Sequence, residues 1–233
     1  MHFPIQVQGD APCTSVSVET KITGENLFLR QIGYRLFAGL FLYPEHNRLA
    51  ELQEAASALL AGEIGQGHPF SASLESLLKQ LTETDLKDSR TIINEYNRLF
   101  LIRPKAPPHE TVYTNPEGQL RGMLTAQLDE RYLEAGLVIS PELNELPDHI
   151  SVELEFMAFL CMKEADARLA NEDSVANHFR ALQESFMRQH LVRWFPKFAQ
   201  RIKESEPGSI YHFLLPAVYS YLQHELGVLG LGN

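Results

Sequence analysis

The chain is expected to be all-α, a single bundle of roughly eight to ten helices. Three observations carry this. Apolar residues recur at i, i+3, i+4 and i+7 in one segment after another. No strand–helix–strand alternation accompanies them, and no repeat of fixed period is present. With 233 residues, 44% hydrophobic and 21% charged, the chain can bury a substantial core and is no disordered tract.

Residues 1–25 are polar and read as a flexible N-terminal arm, leaving 26–233 as one helical domain. From Asn26 the helical pattern begins with Ile32, Leu36, Phe37 and Leu40, and Pro44 stops it. Leu49, Leu52, Ala56 and Leu59 form a second amphipathic stretch ended by Gly62. Ser71 is placed to cap a third, carrying Leu74, Leu77, Leu78 and Leu81. Ile93, Tyr96 and Phe100 mark a fourth. The segment 103–118 then holds Pro104, Pro107, Pro108 and Pro116, a density that predicts an irregular loop with neither helix nor central strand. Loops of this length in compact domains are either functional or disordered, and Thr111-Val112-Tyr113 argues for order.

Periodicity resumes with Leu120, Met123, Leu124, Leu128 and Leu133 and closes at Gly136. After a second loop, Ile150, Leu154, Met157 and Cys161 share a face that Val152, Phe156, Phe159 and Leu160 widen, which predicts a central helix. Val175, Phe179, Leu182 and Phe186 define the next. Pro196 is placed to open a short helix at its first position. Ile210, Phe213, Leu214, Tyr221, Leu222 and Leu226 make the last, interrupted by Pro216.

Composition excludes several classes. A net charge of −10 and a pI near 5.4 oppose general nucleic-acid binding and favour cationic partners. Cys13 and Cys161 can form neither a zinc site of their own nor a disulfide framework. The N-terminus lacks the basic and apolar regions of a secretory signal, and no stretch approaches the ~20 apolar residues of a membrane span. The expected location is cytoplasmic.

Chemistry-bearing residues gather in two places. Glu95 leads into the proline-rich loop with Pro107, His109, Glu110 and Tyr113, and Pro147-Asp148-His149 opens the central helix just before Glu153. His149 and Glu153 have metal-ligand spacing but lack a third ligand, so a helical metal-dependent hydrolase is the weaker reading against Asp148 as a helix cap. Phosphate loops and nucleophile elbows are missing, so the residues themselves describe no enzyme. A generic helical adaptor, with the long loop as the hinge of a domain-swapped dimer, is the further alternative.

Five stretches occur in an order that resembles a known family: EYNRLFL at 95–101, APPHETVY at 106–113, RYLEAGL at 131–137, LPDHISVELEFMAFL at 146–160 and HLVRWFPKF at 190–198. Together they are similar to the TorD/DmsD/NarJ family of cytoplasmic chaperones that mature molybdenum-cofactor oxidoreductases, over about residues 26–226. The resemblance implies a non-enzymatic, all-helical chaperone. Such a protein binds the twin-arginine signal peptide, or the apo form, of a molybdoenzyme catalytic subunit, assists cofactor insertion and prevents premature export. It also implies a monomer or swapped homodimer. It assigns peptide binding to Pro147, Asp148 and His149 and to Pro107, Glu110 and Tyr113. Family members are linked to GTP; this chain has no phosphate loop, so no cofactor is expected and GTP binding stays open. Two departures stand out: Leu146 where a second proline is common, and His109-Glu110-Thr111 in place of Tyr-Glu-Ser. A twin-arginine ligand needs carboxylates for its guanidinium groups beside an apolar groove, and Asp148, Glu153, Glu110 and Glu95 are the candidates.

Overall fold

Helical periodicity produces ten α-helices and two π-turns among the described residues, which in this computed structural model are 18–61, 71–83, 90–115, 122–139 and 145–232. The all-α expectation holds: the described residues contain no strand, and His109 and His149 form an isolated bridge. No described helix is long and apolar enough to cross a membrane.

Helix α1 spans Val18–Leu40, so it begins eight residues before the predicted start; residues 1–17 of the expected arm lie outside the described residues. It packs chiefly on α7 (Ile150–Leu169), and α7 packs in turn on α8 (Asp173–Phe186). Helices α2 (His46–Ala61) and α3 (Ser71–Glu83) follow α1, and α3 lies against α10 (Ile210–Val228). One contiguous core joins Tyr34, Phe37 and Phe41 of α1 to Phe156 of α7, Phe186 of α8 and Tyr221 of α10.

The fourth helix, α4 (Arg90–Tyr96), continues into a π-turn at Asn97–Leu101, closed by Ile102 N–H donating to Asn97 O at 2.7 Å. Its core face carries Ile92, Tyr96, Leu99 and Phe100, at i, i+4, i+7 and i+8, while the expected Ile93 is half-buried beside it. Between Pro108 and Pro116 the chain does make helix, contrary to expectation. The one-turn α5 (Glu110–Thr114) fits because its own residues all keep their backbone donors. In α6 (Met123–Glu134) the buried face is Thr125, Leu128 and Tyr132, while Met123 and Leu133 point outward. Leu120, Gly62 and Pro116 lie outside the described residues.

Every residue of α7 from Ile150 to Cys161 is buried, so it is more central than its apolar stripe required. In α8 the buried residues are Ala176, Gln183 and Phe186, and Val175 is exposed. A second π-turn, Met187–Leu191, runs into α9 (Val192–Ser205), so Pro196 sits inside a helix instead of starting one. Polar cross-links tie the bundle. Arg30 of α1 donates from Nε to Glu225 Oε2 at 2.9 Å and from Nη2 to Gln183 Oε1 at 2.8 Å, all three residues being buried. Nearby, Gly33 is required: a Cβ there would lie 2.6 Å from the Tyr221 ring.

Candidate functional site

The two loops singled out in the sequence are zipped together by backbone hydrogen bonds. Glu110 N–H donates to Asp148 O and Ile150 N–H to Pro108 O, each at 2.9 Å. Extended backbone at His109 and His149 makes this short bridge, each residue standing just before the first turn of its helix. Asp148 is the buried pin. Its Oδ2 accepts from Thr111 N–H at 3.1 Å and from Thr111 Oγ1 at 2.5 Å, and His109 Nδ1 stands 3.4 Å from Oδ1. Burial pushes this carboxyl up, but His109 and the Thr111 hydrogen bonds outweigh it and hold Asp148 below the usual carboxylate range. Thr111 thus supplies the hydroxyl for which the family pattern has serine.

The cap of α7 is His149, not Asp148. Its Nδ1 accepts from Ser151 N–H at 3.2 Å. Burial, with His109 nearby, drives His149 down to about 3, so it stays neutral and escapes repulsion by the helix dipole. One turn on, Glu153 Oε2 accepts from Trp194 Nε1 at 2.9 Å, while Oε1 is buried without a hydrogen-bond partner. Burial and the neighbouring Glu110 push Glu153 well above the usual range, so it is held as the neutral acid. Glu110 Oε2 in turn lies 2.7 Å from His190 Nδ1, and His190 Nε2 lies 3.3 Å from Arg131 Nη1. No three groups of His, Cys, Asp or Glu converge as metal ligands among the described residues. His149 Nδ1 and Glu153 Oε2 are taken by Ser151 and Trp194.

Eight of the nine predicted residues therefore meet. Pro107, His109, Glu110, Tyr113, Pro147, Asp148, His149 and Glu153 surround one junction of α5, α7 and α9; Tyr113 stacks on Trp194 at 5.6 Å, and Pro147 O accepts from Tyr132 Oη at 2.9 Å. Glu95 is apart: it accepts from Ile210 N–H at 3.0 Å, capping α10, and burial raises its pKa. Glu110, Asp148, His149 and Glu153 are each at most 2% exposed, because their hydrogen bonds face inward.

Above this junction opens a cleft of about 800 Å³ between α5, the outer face of α6 and the second π-turn. Glu110, Thr111 and His190 form its floor; Met123, Leu124, Glu130, Arg131, Glu134, Gln189 and Arg193 line its walls. Glu130 and Glu134, one turn apart, make no ion pair or side-chain hydrogen bond among the described residues. None of these wall residues is among the nine predicted ones. Arg131 and His190 do open two of the quoted motifs, RYLEAGL and HLVRWFPKF, and that position was the available signal.

The class is an all-helical bundle in which two interlocked loops form a buried polar junction beneath an open, mixed-charge cleft. The comparisons give the family. The family described as nitrate reductase delta subunit matches residues 67–200, more than half of the chain, and the protein belongs to it. Among its relatives is chaperone protein TorD of Shewanella loihica, 28% identical over 212 residues, covering 84% of this chain and 91% of that protein. Chaperone protein TorD of Vibrio cholerae is 28% identical over 161 residues, covering 66% and 71%. A putative redox enzyme maturation protein from Archaeoglobus fulgidus shares the fold, with a TM-score of 0.53 at 24% identity over 82% of this chain and 93% of that one.

Proposed function

We propose that this protein is a redox-enzyme maturation chaperone that receives the twin-arginine signal peptide of a molybdoenzyme in the cleft above Glu110 and His190. It acts in the cytoplasm, without turnover or cofactor, and releases its client on folding or handover. The observation that carries the reading is the unpaired Glu130 and Glu134 beside exposed Met123 and half-buried Leu124 in one open cleft. Guanidinium groups need carboxylates in solvent reach, and the apolar segment that follows them needs an apolar wall. The relatives named chaperone protein TorD and the net charge of −10 support the same choice of partner class. In this reading the buried Asp148–Thr111 and Glu153–Trp194 bonds shape the floor, and the exposed acids make the contact.

The test is calorimetric titration of a synthetic peptide carrying two adjacent arginines ahead of a leucine-rich segment. Glu130→Gln combined with Glu134→Gln should weaken binding about five- to tenfold, the sum of two surface ion pairs, at unchanged thermal stability. Affinity should also fall as salt rises. Unchanged affinity in the double variant would place the peptide elsewhere.

A further inference from the structure

One cation in the cleft is held in an uncommon way. Arg131 Nη2 donates to Gln189 Oε1 at 2.8 Å, and its Nη1 faces His190 Nε2 at 3.3 Å. No carboxylate lies within ion-pair distance of it among the described residues, although Glu130 and Glu134 stand on the same helix. A guanidinium only donates, so His190 Nε2 must accept, and the ring proton sits on Nδ1, where it is donated to Glu110 Oε2 at 2.7 Å. The imidazole is further fixed by stacking on Phe186 at 4.6 Å. Buried Glu110 thus polarises the ring and strengthens Nε2 as an acceptor. Gln189 Oε1 and His190 Nε2 together present two adjacent acceptors to the two arms of one guanidinium. That is a receptor matched to a planar fork, which reaches each acceptor from a separate nitrogen, whereas an ammonium must reach both from one point.

We propose that Gln189 and His190, backed by Glu110, form a guanidinium subsite that the protein's own Arg131 fills when the cleft is empty and that a client arginine takes over on binding. The takeover rests on the cleft being the peptide site; the subsite itself does not. Because Arg131 is held by uncharged acceptors and is only half-buried, its release costs little. It competes with the client intramolecularly, which keeps affinity moderate and favours release.

The experiment uses the full chain and its Arg131→Ala variant, with His190 followed by nitrogen NMR. Removing Arg131 should shift the His190 Nε2 resonance; methylguanidinium should restore it and methylammonium should not. The twin-arginine peptide should bind Arg131→Ala about fivefold more tightly than wild type, roughly 1 kcal/mol, and a twin-lysine peptide should gain nothing. A His190 signal indifferent to methylguanidinium overturns the subsite wherever the peptide binds. Equal or weaker peptide binding by Arg131→Ala, with Glu130→Gln/Glu134→Gln still weakening wild type, overturns the takeover and leaves the cleft reading standing. Insensitivity to Glu130 and Glu134 removes the cleft reading, and the methylguanidinium result then judges the subsite alone.

Discussion

Replacing Asp148 with alanine should be a severe stability mutation. The carboxylate is fully buried and holds α5 against the start of α7 through two hydrogen bonds, from Thr111 N–H and Thr111 Oγ1. Hydrogen bonds to a charged acceptor contribute ~1.5–3 kcal/mol each, and truncation leaves both Thr111 donors buried and unsatisfied, so the loss is about 3–5 kcal/mol. For a chain of this size that lowers Tm by roughly 10 °C or more. Asp148→Asn keeps an acceptor for Thr111 and should lose about half as much. The assay is thermal and urea denaturation at pH 7 followed by circular dichroism, with peptide affinity measured on the folded fraction. Because the folded-state pKa of Asp148 is depressed, its contribution is present above the ordinary carboxylate pKa and is lost as pH falls through the folded value. The Asp148→Ala deficit should therefore shrink in acid. An Asp148→Ala protein that melts within 2 °C or so of wild type but loses the peptide would refute the argument and return Asp148 to direct contact.

Three more outcomes follow from the core. Burial lifts Glu155, on the α1–α7 interface, to about 7 despite Arg35 at 3.7 Å. Its stabilising contribution is full below its ordinary pKa and is lost as pH rises through about 7, a fall of about 3 kcal/mol; urea melts of Glu155→Gln should be flatter between pH 5 and 8 than those of wild type, and equal slopes would count against it. Trp194→Phe strips Glu153 of its donor and leaves space, costing about 2–4 kcal/mol, and adding Glu153→Leu should recover part of that loss in a double-mutant cycle. Gly33→Ala would drive a methyl into Tyr221, whose hydroxyl donates to Arg30 O at 2.6 Å; denaturation should report a loss of about 1–3 kcal/mol.

Much of the fold was legible because helical burial writes a period into the chain. Leu52, Ala56 and Leu59, or Leu74 and Leu77, each needed only an apolar stripe to be placed in the core, and they are there. The misreadings have local causes. Ile92 and Ile93 both fit the spacing to Tyr96 and packing chose the first, outward-facing Met123 and Leu133 mimicked a stripe, and Pro196 was absorbed into α9. At the site, the motif residues did converge, apart from Glu95.

What the sequence determined by itself was composition and order: an acidic helical chain with two prolyl turns, each followed by carboxylates, and a family pattern threaded through them. Tertiary structure alone decided which carboxylates face water. Asp148 and Glu153 at a helix start and Glu110 in the proline-rich loop read in sequence as candidates for a guanidinium, yet they are consumed by Thr111, Trp194 and His190, donors 37, 41 and 80 residues away. Glu130 and Glu134, unremarkable in sequence, are left open in the cleft because no donor reaches them. A carboxylate's availability depends on long-range partners, and those are set by packing rather than by its neighbours along the chain.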